Sequence, residues 1–166
     1  MPKSHAFRVV SRPPDISSRY TLVVVDGDGR PHIPLTRFYD ETKQAISDGA
    51  TRTYLNVLMP YFTYLATDNW RRRRKDRWDS PPEAVQESVR DYLVQCLHCK
   101  VRRHGSYEIV ALSVKSPNTV RLFLAALKQF YRIMRRANWY PHLRQQRCYA
   151  SMLTLSGVRL IYSIDA

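Results

Sequence analysis

At 166 residues and 19.5 kDa the chain is about the size of one compact domain with short tails, so two full-sized domains do not fit. Hydrophobic residues at 44% and charged residues at 25% exclude wholesale disorder. No run approaches the ~18 apolar residues of a membrane span and Met1–Tyr20 lacks an apolar leader, which points to a cytoplasmic protein with no membrane partner.

Twenty-seven Lys and Arg against 14 Asp and Glu give a net charge of +13 and a pI near 10.1, the balance of a protein with a polyanionic partner. The excess is uneven: residues 109–164 carry nine basic groups and no acidic one. Because apolar residues interleave with those charges at regular spacing, the segment reads as a folded basic surface rather than a solvated tail. Three cysteines are an odd number without paired spacing, so reduced thiols are expected. Cys96-Leu97-His98-Cys99 supplies half a zinc site and the other half is missing. No metal or cofactor is expected, and Cys96, on the apolar stripe of a helix, reads as a buried thiol.

In chain order, residues 1–19 mix Pro, Ser and Arg without periodicity and read as a flexible arm. Tyr20–Val25 is β-branched and is followed by Asp26-Gly27-Asp28-Gly29, a turn sequence, so a hairpin with Arg30–Ile33 is predicted. A lead-in helix over residues 35–47 completes the segment 20–48, with Asp48-Gly49 breaking it. Tyr54, Leu55, Leu58, Tyr61, Phe62 and Leu65 repeat at helical spacing and predict a helix over residues 51–66, bent at Pro60. Arg71-Arg72-Arg73-Arg74-Lys75, between Trp70 and Trp78, reads as an exposed basic loop. Ser80-Pro81-Pro82-Glu83 spells a capped helix start. Residues 107–114 are short and β-like, and a buried connection fits them equally.

Ser116-Pro117 opens the clearest helix, residues 117–137, ending near Asn138. Val120, Phe123, Leu124, Leu127, Phe130, Tyr131 and Met134 form its apolar stripe. At ~100° per residue, Arg121, Lys128, Arg132 and Arg135 fall within some 60° of one another, about a third of a turn from the stripe's centre. Such a row suits a DNA groove and its phosphates. A surface helix ordinarily mixes both signs of charge, and this one has no Asp or Glu. The fold class that follows is mainly α, about four helices preceded by a small β-hairpin.

Two phrases carry a family resemblance. Ala50-Thr51-Arg52-Thr53-Tyr54-Leu55, continuing through Leu58, Tyr61-Phe62 and Tyr64-Leu65, resembles the first core-binding helix of tyrosine recombinases and phage-type integrases. Ser116-Pro117-Asn118-Thr119-Val120, continuing through Leu124-Ala125-Ala126-Leu127-Lys128 and Phe130-Tyr131, is similar to a later helix of the same domain. The hairpin with its Asp-Gly turn resembles the lead-in of transposon-encoded members, so the likeness covers about residues 20–142.

The resemblance implies a SAM-like core-binding helical domain over residues 49–142 that grips double-stranded DNA, followed by a non-family tail over residues 143–166. Carried over, it implies DNA contact at Thr51, Arg52, Lys115, Asn118, Thr119 and Arg121. Lys128, Arg132 and Arg135, with the loop Arg71, Arg72, Arg73 and Arg74, join them on charge. Thr51 and Ser116 can cap helices, and Tyr54 reads more readily as core than as contact. The family's chemistry needs a tyrosine nucleophile with an arginine, lysine and histidine cluster, and fewer than thirty residues follow the match. The chain therefore reads as a truncated, integration-related recombinase that is not itself an enzyme and has a full-length recombinase or a second copy as a partner on DNA. A stand-alone regulator of recombination and a basic RNA-associated protein are the competing readings.

Overall fold

The run Leu22–Val25 forms a strand buried on both faces, as its unbroken apolar sequence requires. A computed structural model describes residues 7–11, 20–67, 77–104, 107–111, 117–142 and 158–159. Among them the fold is mainly α, with four helices preceded by a two-stranded antiparallel sheet. The order is β1 (Arg8–Ser11), β2 (Leu22–Val25), α1 (Ile33–Lys43), α2 (Asp48–Ala66), α3 (Pro82–Gln95), β3 (Lys100–His104), β4 (Tyr107–Ala111), α4 (Pro117–Arg136) and β5 (Val158–Arg159).

The predicted hairpin changes partner. β2 pairs antiparallel with β1, from Arg8 opposite Val25 to Ser11 opposite Leu22, so part of the expected arm is strand. The Asp-Gly turn does form: Asp26 Oδ1 accepts the amides of Asp28 at 3.0 Å and Arg30 at 2.8 Å, and Gly29 takes a φ of +80°. Past the turn the chain returns to β2 only through a bridge between Val25 and Pro31. Proline has no N–H to extend a ladder, and at Ile33 helix α1 begins.

Two compact units organise the described residues. The first draws on Met1–Lys75 and Ala126–Tyr140, so it holds β1, β2, α1, α2 and the C-terminal part of α4. His32 caps α1 with its Nδ1, which accepts the Leu35 amide at 3.2 Å. Thr36 Oγ1 accepts the Val24 amide at 3.0 Å and donates to the His32 carbonyl at 3.0 Å, which ties α1 to β2 without leaving a buried hydroxyl unsatisfied. Phe130 of α4 lies with its ring centroid 6.0 Å from Phe38 of α1 and 5.1 Å from Phe62 of α2. All three rings are buried, and they form the centre of this unit's core.

Helix α2 starts three residues before the predicted point, and α1 ends at Lys43 rather than near residue 47. Ser47 takes an extended conformation and its Oγ accepts the Ala50 amide, so Asp48 and Gly49 open α2 instead of breaking α1. The negative charge of Asp48 suits that first turn. α2 continues through Pro60 to Ala66 without interruption.

The second unit draws on Asp76–Ala125 and Pro141–Ala166. Its α3 begins at Pro82 without a side-chain cap; Ser80 Oγ instead accepts the Arg77 amide at 2.8 Å, so the predicted capping box does not form. Tyr92 of α3 packs against Phe123 of α4 at 5.0 Å between ring centroids. β3 and β4 form an antiparallel hairpin, which resolves the open reading of residues 107–114 as strand over Tyr107–Ala111. β5 adds parallel to β4, so part of the segment 143–166 joins the sheet.

Candidate nucleic-acid interface

Helix α4 is the element that positions the cations. Its N-terminal residue is Pro117, and its end is built by Asn138 in the left-handed conformation at φ +57°. The Asn138 amide donates to the Arg135 carbonyl and the Trp139 amide to the Met134 carbonyl, the paired bonds of a Schellman ending. Between these ends Val120, Phe123, Ala126, Leu127, Phe130, Tyr131, Ile133 and Met134 are buried. Asn118, Arg121, Ala125, Lys128, Arg132 and Arg136 are exposed.

The exposed positions are three or four residues apart and so form one row along the helix. Ala126 and Ile133 widen the buried arc beyond the stripe seen in sequence, which moves its centre. The cations therefore stand opposite the core rather than a third of a turn from it. At 1.5 Å rise per residue, Arg121 and Arg132 are about 16 Å apart along the axis. No acidic residue falls within Pro117–Arg136.

The remaining expected contacts divide. Thr51 is fully buried and its hydroxyl donates to the Ser47 carbonyl at 2.9 Å, so it can neither cap α2 nor reach DNA. Arg52 is exposed, but its Nε donates to Asp48 Oδ2 at 2.8 Å. Asn118 is exposed and Thr119 half-buried at the start of α4. Arg135 is half-buried with its Nε enclosed, which removes it from the exposed row. Tyr54 is half-buried. Arg71, Arg72, Arg73, Arg74, Lys115 and Ser116 lie outside the described residues.

Arg136, which the sequence reading passed over, belongs to the row four positions beyond Arg132. It is anchored at its tip: its Nη2 donates to Glu41 Oε2 at 2.6 Å. Glu41 also receives Arg37 Nη2 at 3.5 Å, and the Arg37 guanidinium lies 4.5 Å above the Trp139 ring. A second polar group joins α1 to α2. The Tyr39 hydroxyl donates to Asp48, whose carboxyl is held below the usual range by that hydrogen bond and by Arg52. Tyr39 is itself pushed upward by burial and by the same bond.

The Cys96 thiol is exposed rather than buried, because α3 ends at Gln95 and the chain turns away through His98 at φ +53°. Cys99 is the buried thiol, and burial raises its pKa. Among the described residues no three His, Cys, Asp or Glu side chains come together as a metal site, and no helix is long and apolar enough to cross a membrane. No protein-family model, curated protein or solved structure matches the chain.

Proposed function

We propose that this chain is a double-stranded-DNA-binding helical module of the SAM-like core-binding type used by tyrosine recombinases, acting by holding DNA rather than by breaking it. The observation that carries the reading is the exposed, all-basic row Arg121, Lys128 and Arg132 on α4. A rigid helix presenting cations every one to two turns matches the regular anionic lattice of a duplex, and binding releases the counterions condensed on it. Acidic residues would forfeit that gain, and the helix has none. The order of the two recombinase-like phrases supports the choice of a recombination module over a general basic protein. The role assigned is occupancy of recombination sites in the cytoplasm, beside a recombinase that carries the catalytic cluster or beside a second copy of this chain.

Gel-shift competition between a DNA duplex and a structured RNA at several salt concentrations tests it. With three phosphates neutralised by the row, the log–log salt dependence has a slope of about −2.7 from these residues alone. Lys128→Ala and Arg132→Ala should each weaken duplex binding and make the slope shallower by about 0.9. Equal affinity for RNA and duplex, or unchanged binding in both variants, overturns the reading.

A further inference from the structure

We infer that Glu41 is a built-in stand-in for a DNA phosphate: it holds Arg136 while the module is free and releases that guanidinium to a phosphodiester of the bound duplex. The inference rests on the DNA-binding reading above and deepens it by naming a further contact and the anion that competes for it.

Three features of the first unit carry it. Arg136 stands on the same face of α4 as Lys128 and Arg132, one turn beyond Arg132, so it extends the row by about 6 Å. Its side chain is 71% exposed even while paired, so the guanidinium lies within reach of an outside anion. The Glu41 carboxylate that meets it at 2.6 Å comes from α1, 95 residues away in sequence. Glu41 sits in the last turn of α1, where a negative charge opposes the helix dipole. The cations explain its position there, since the helix end does not. Arg37 is fixed separately by its stack on Trp139, so it keeps its place when Glu41 changes partner.

An exposed ion pair is weak, and a phosphate offers the guanidinium two accepting oxygens, where Glu41 gives it one, together with counterion release. The exchange also has a signature in salt dependence. When Arg136 moves to a phosphate, Glu41 keeps only its 3.5 Å contact with Arg37, and the charge left unbalanced is offset by cations from solution, so the net number of ions released falls short of the number of phosphates contacted by up to one. Removing the Glu41 charge abolishes that uptake.

The test compares wild type, Glu41→Gln, Arg136→Ala and the double variant by fluorescence-anisotropy titration of a DNA duplex across a salt series, with thermal unfolding as a check on folding. Glu41→Gln should bind about two- to fivefold more tightly, the factor corresponding to loss of one surface ion pair, with a slope steeper by up to about 0.9. Adding Arg136→Ala should erase both gains. If Glu41→Gln binds like wild type, or if its gain survives Arg136→Ala, the inference fails while the DNA-binding reading stands. If wild type shows no salt-dependent duplex binding, that reading fails and the inference with it.

Discussion

Lowering the pH from 7 toward 4 puts a proton on His32, and the surroundings of that ring oppose it. Nδ1 is committed as an acceptor to the Leu35 amide, and the ring is met edge to face by Phe7 at 5.1 Å and Phe62 at 5.2 Å. Burial lowers the pKa from 6.5 to about 4, with Asp26 and a backbone hydrogen bond pulling weakly the other way. In the unfolded chain the imidazole takes its proton near 6.5, whereas in the folded chain it waits until about 4. Between those values the unfolded state binds more protons, so the stability His32 contributes is complete above pH 6.5 and drains away as the pH falls to about 4. At about 1.4 kcal/mol per pH unit, that gap amounts to roughly 3 kcal/mol.

Urea unfolding followed by tryptophan fluorescence between pH 7 and 4 measures it. Because the chain has five histidines and many carboxylates, the informative quantity is the difference between wild type and His32→Asn, which keeps a capping acceptor but does not titrate. The advantage of wild type over the variant should shrink by roughly 3 kcal/mol between pH 7 and pH 4. A difference that stays constant with pH would refute the argument.

Phe130→Ala, which removes the ring shared by Phe38 and Phe62, should destabilise the protein by about 3–5 kcal/mol in the same assay at pH 7; a cost below about 1 kcal/mol would place Phe130 outside the core. Ser47→Ala removes the acceptor for the Ala50 amide and should cost about 1 kcal/mol, with Ser47→Gly closer to wild type. Arg132→Glu puts a carboxylate between Lys128 and Arg136 at helical spacing and should leave unfolding free energy at or slightly above that of wild type while abolishing duplex binding. A variant that unfolds more than about 1 kcal/mol more easily would mean that Arg132 has a structural part in the fold.

Features set by local chemistry were legible in the sequence. α4 was placed within a residue of its observed bounds because proline, a long 3.6-residue repeat and Asn138 all act nearby. Features that depend on distant partners were not. Leu22–Val25 reads as a strand anywhere, but its pairing with four residues of an otherwise unpatterned segment is a long-range choice that the Asp-Gly turn obscured. Thr51 looked like a cap because β-hydroxyl residues favour helix starts, yet Ser47 reaches the free amides first and leaves Thr51 to bond back to its carbonyl. Cys96 keeps the helical period of Val85, Tyr92 and Leu93, but period alone cannot say that the helix stops one residue earlier. The link between Glu41 and Arg136 has no local signature at all.

The exposed row on α4 is costly to the free protein. Lys128 with Arg132, and Arg132 with Arg136, are like charges four residues apart, an arrangement that destabilises a helix by about 0.2–0.5 kcal/mol per pair. The fold withstands it because the opposite side of the same helix carries Phe130, Ile133 and Met134, whose burial outweighs those repulsions several times over. A helix shaped by stability alone would alternate signs there, as α1 does with Arg37 and Glu41 at the same spacing. Exposed cations at the positions facing away from the core, on a helix with no acidic residue, are the arrangement that the proposed binding of a polyanion requires. The rigidity conferred by that core also fixes the spacing of these cations in advance, so the proposed binding of a polyanion would leave little backbone to be ordered.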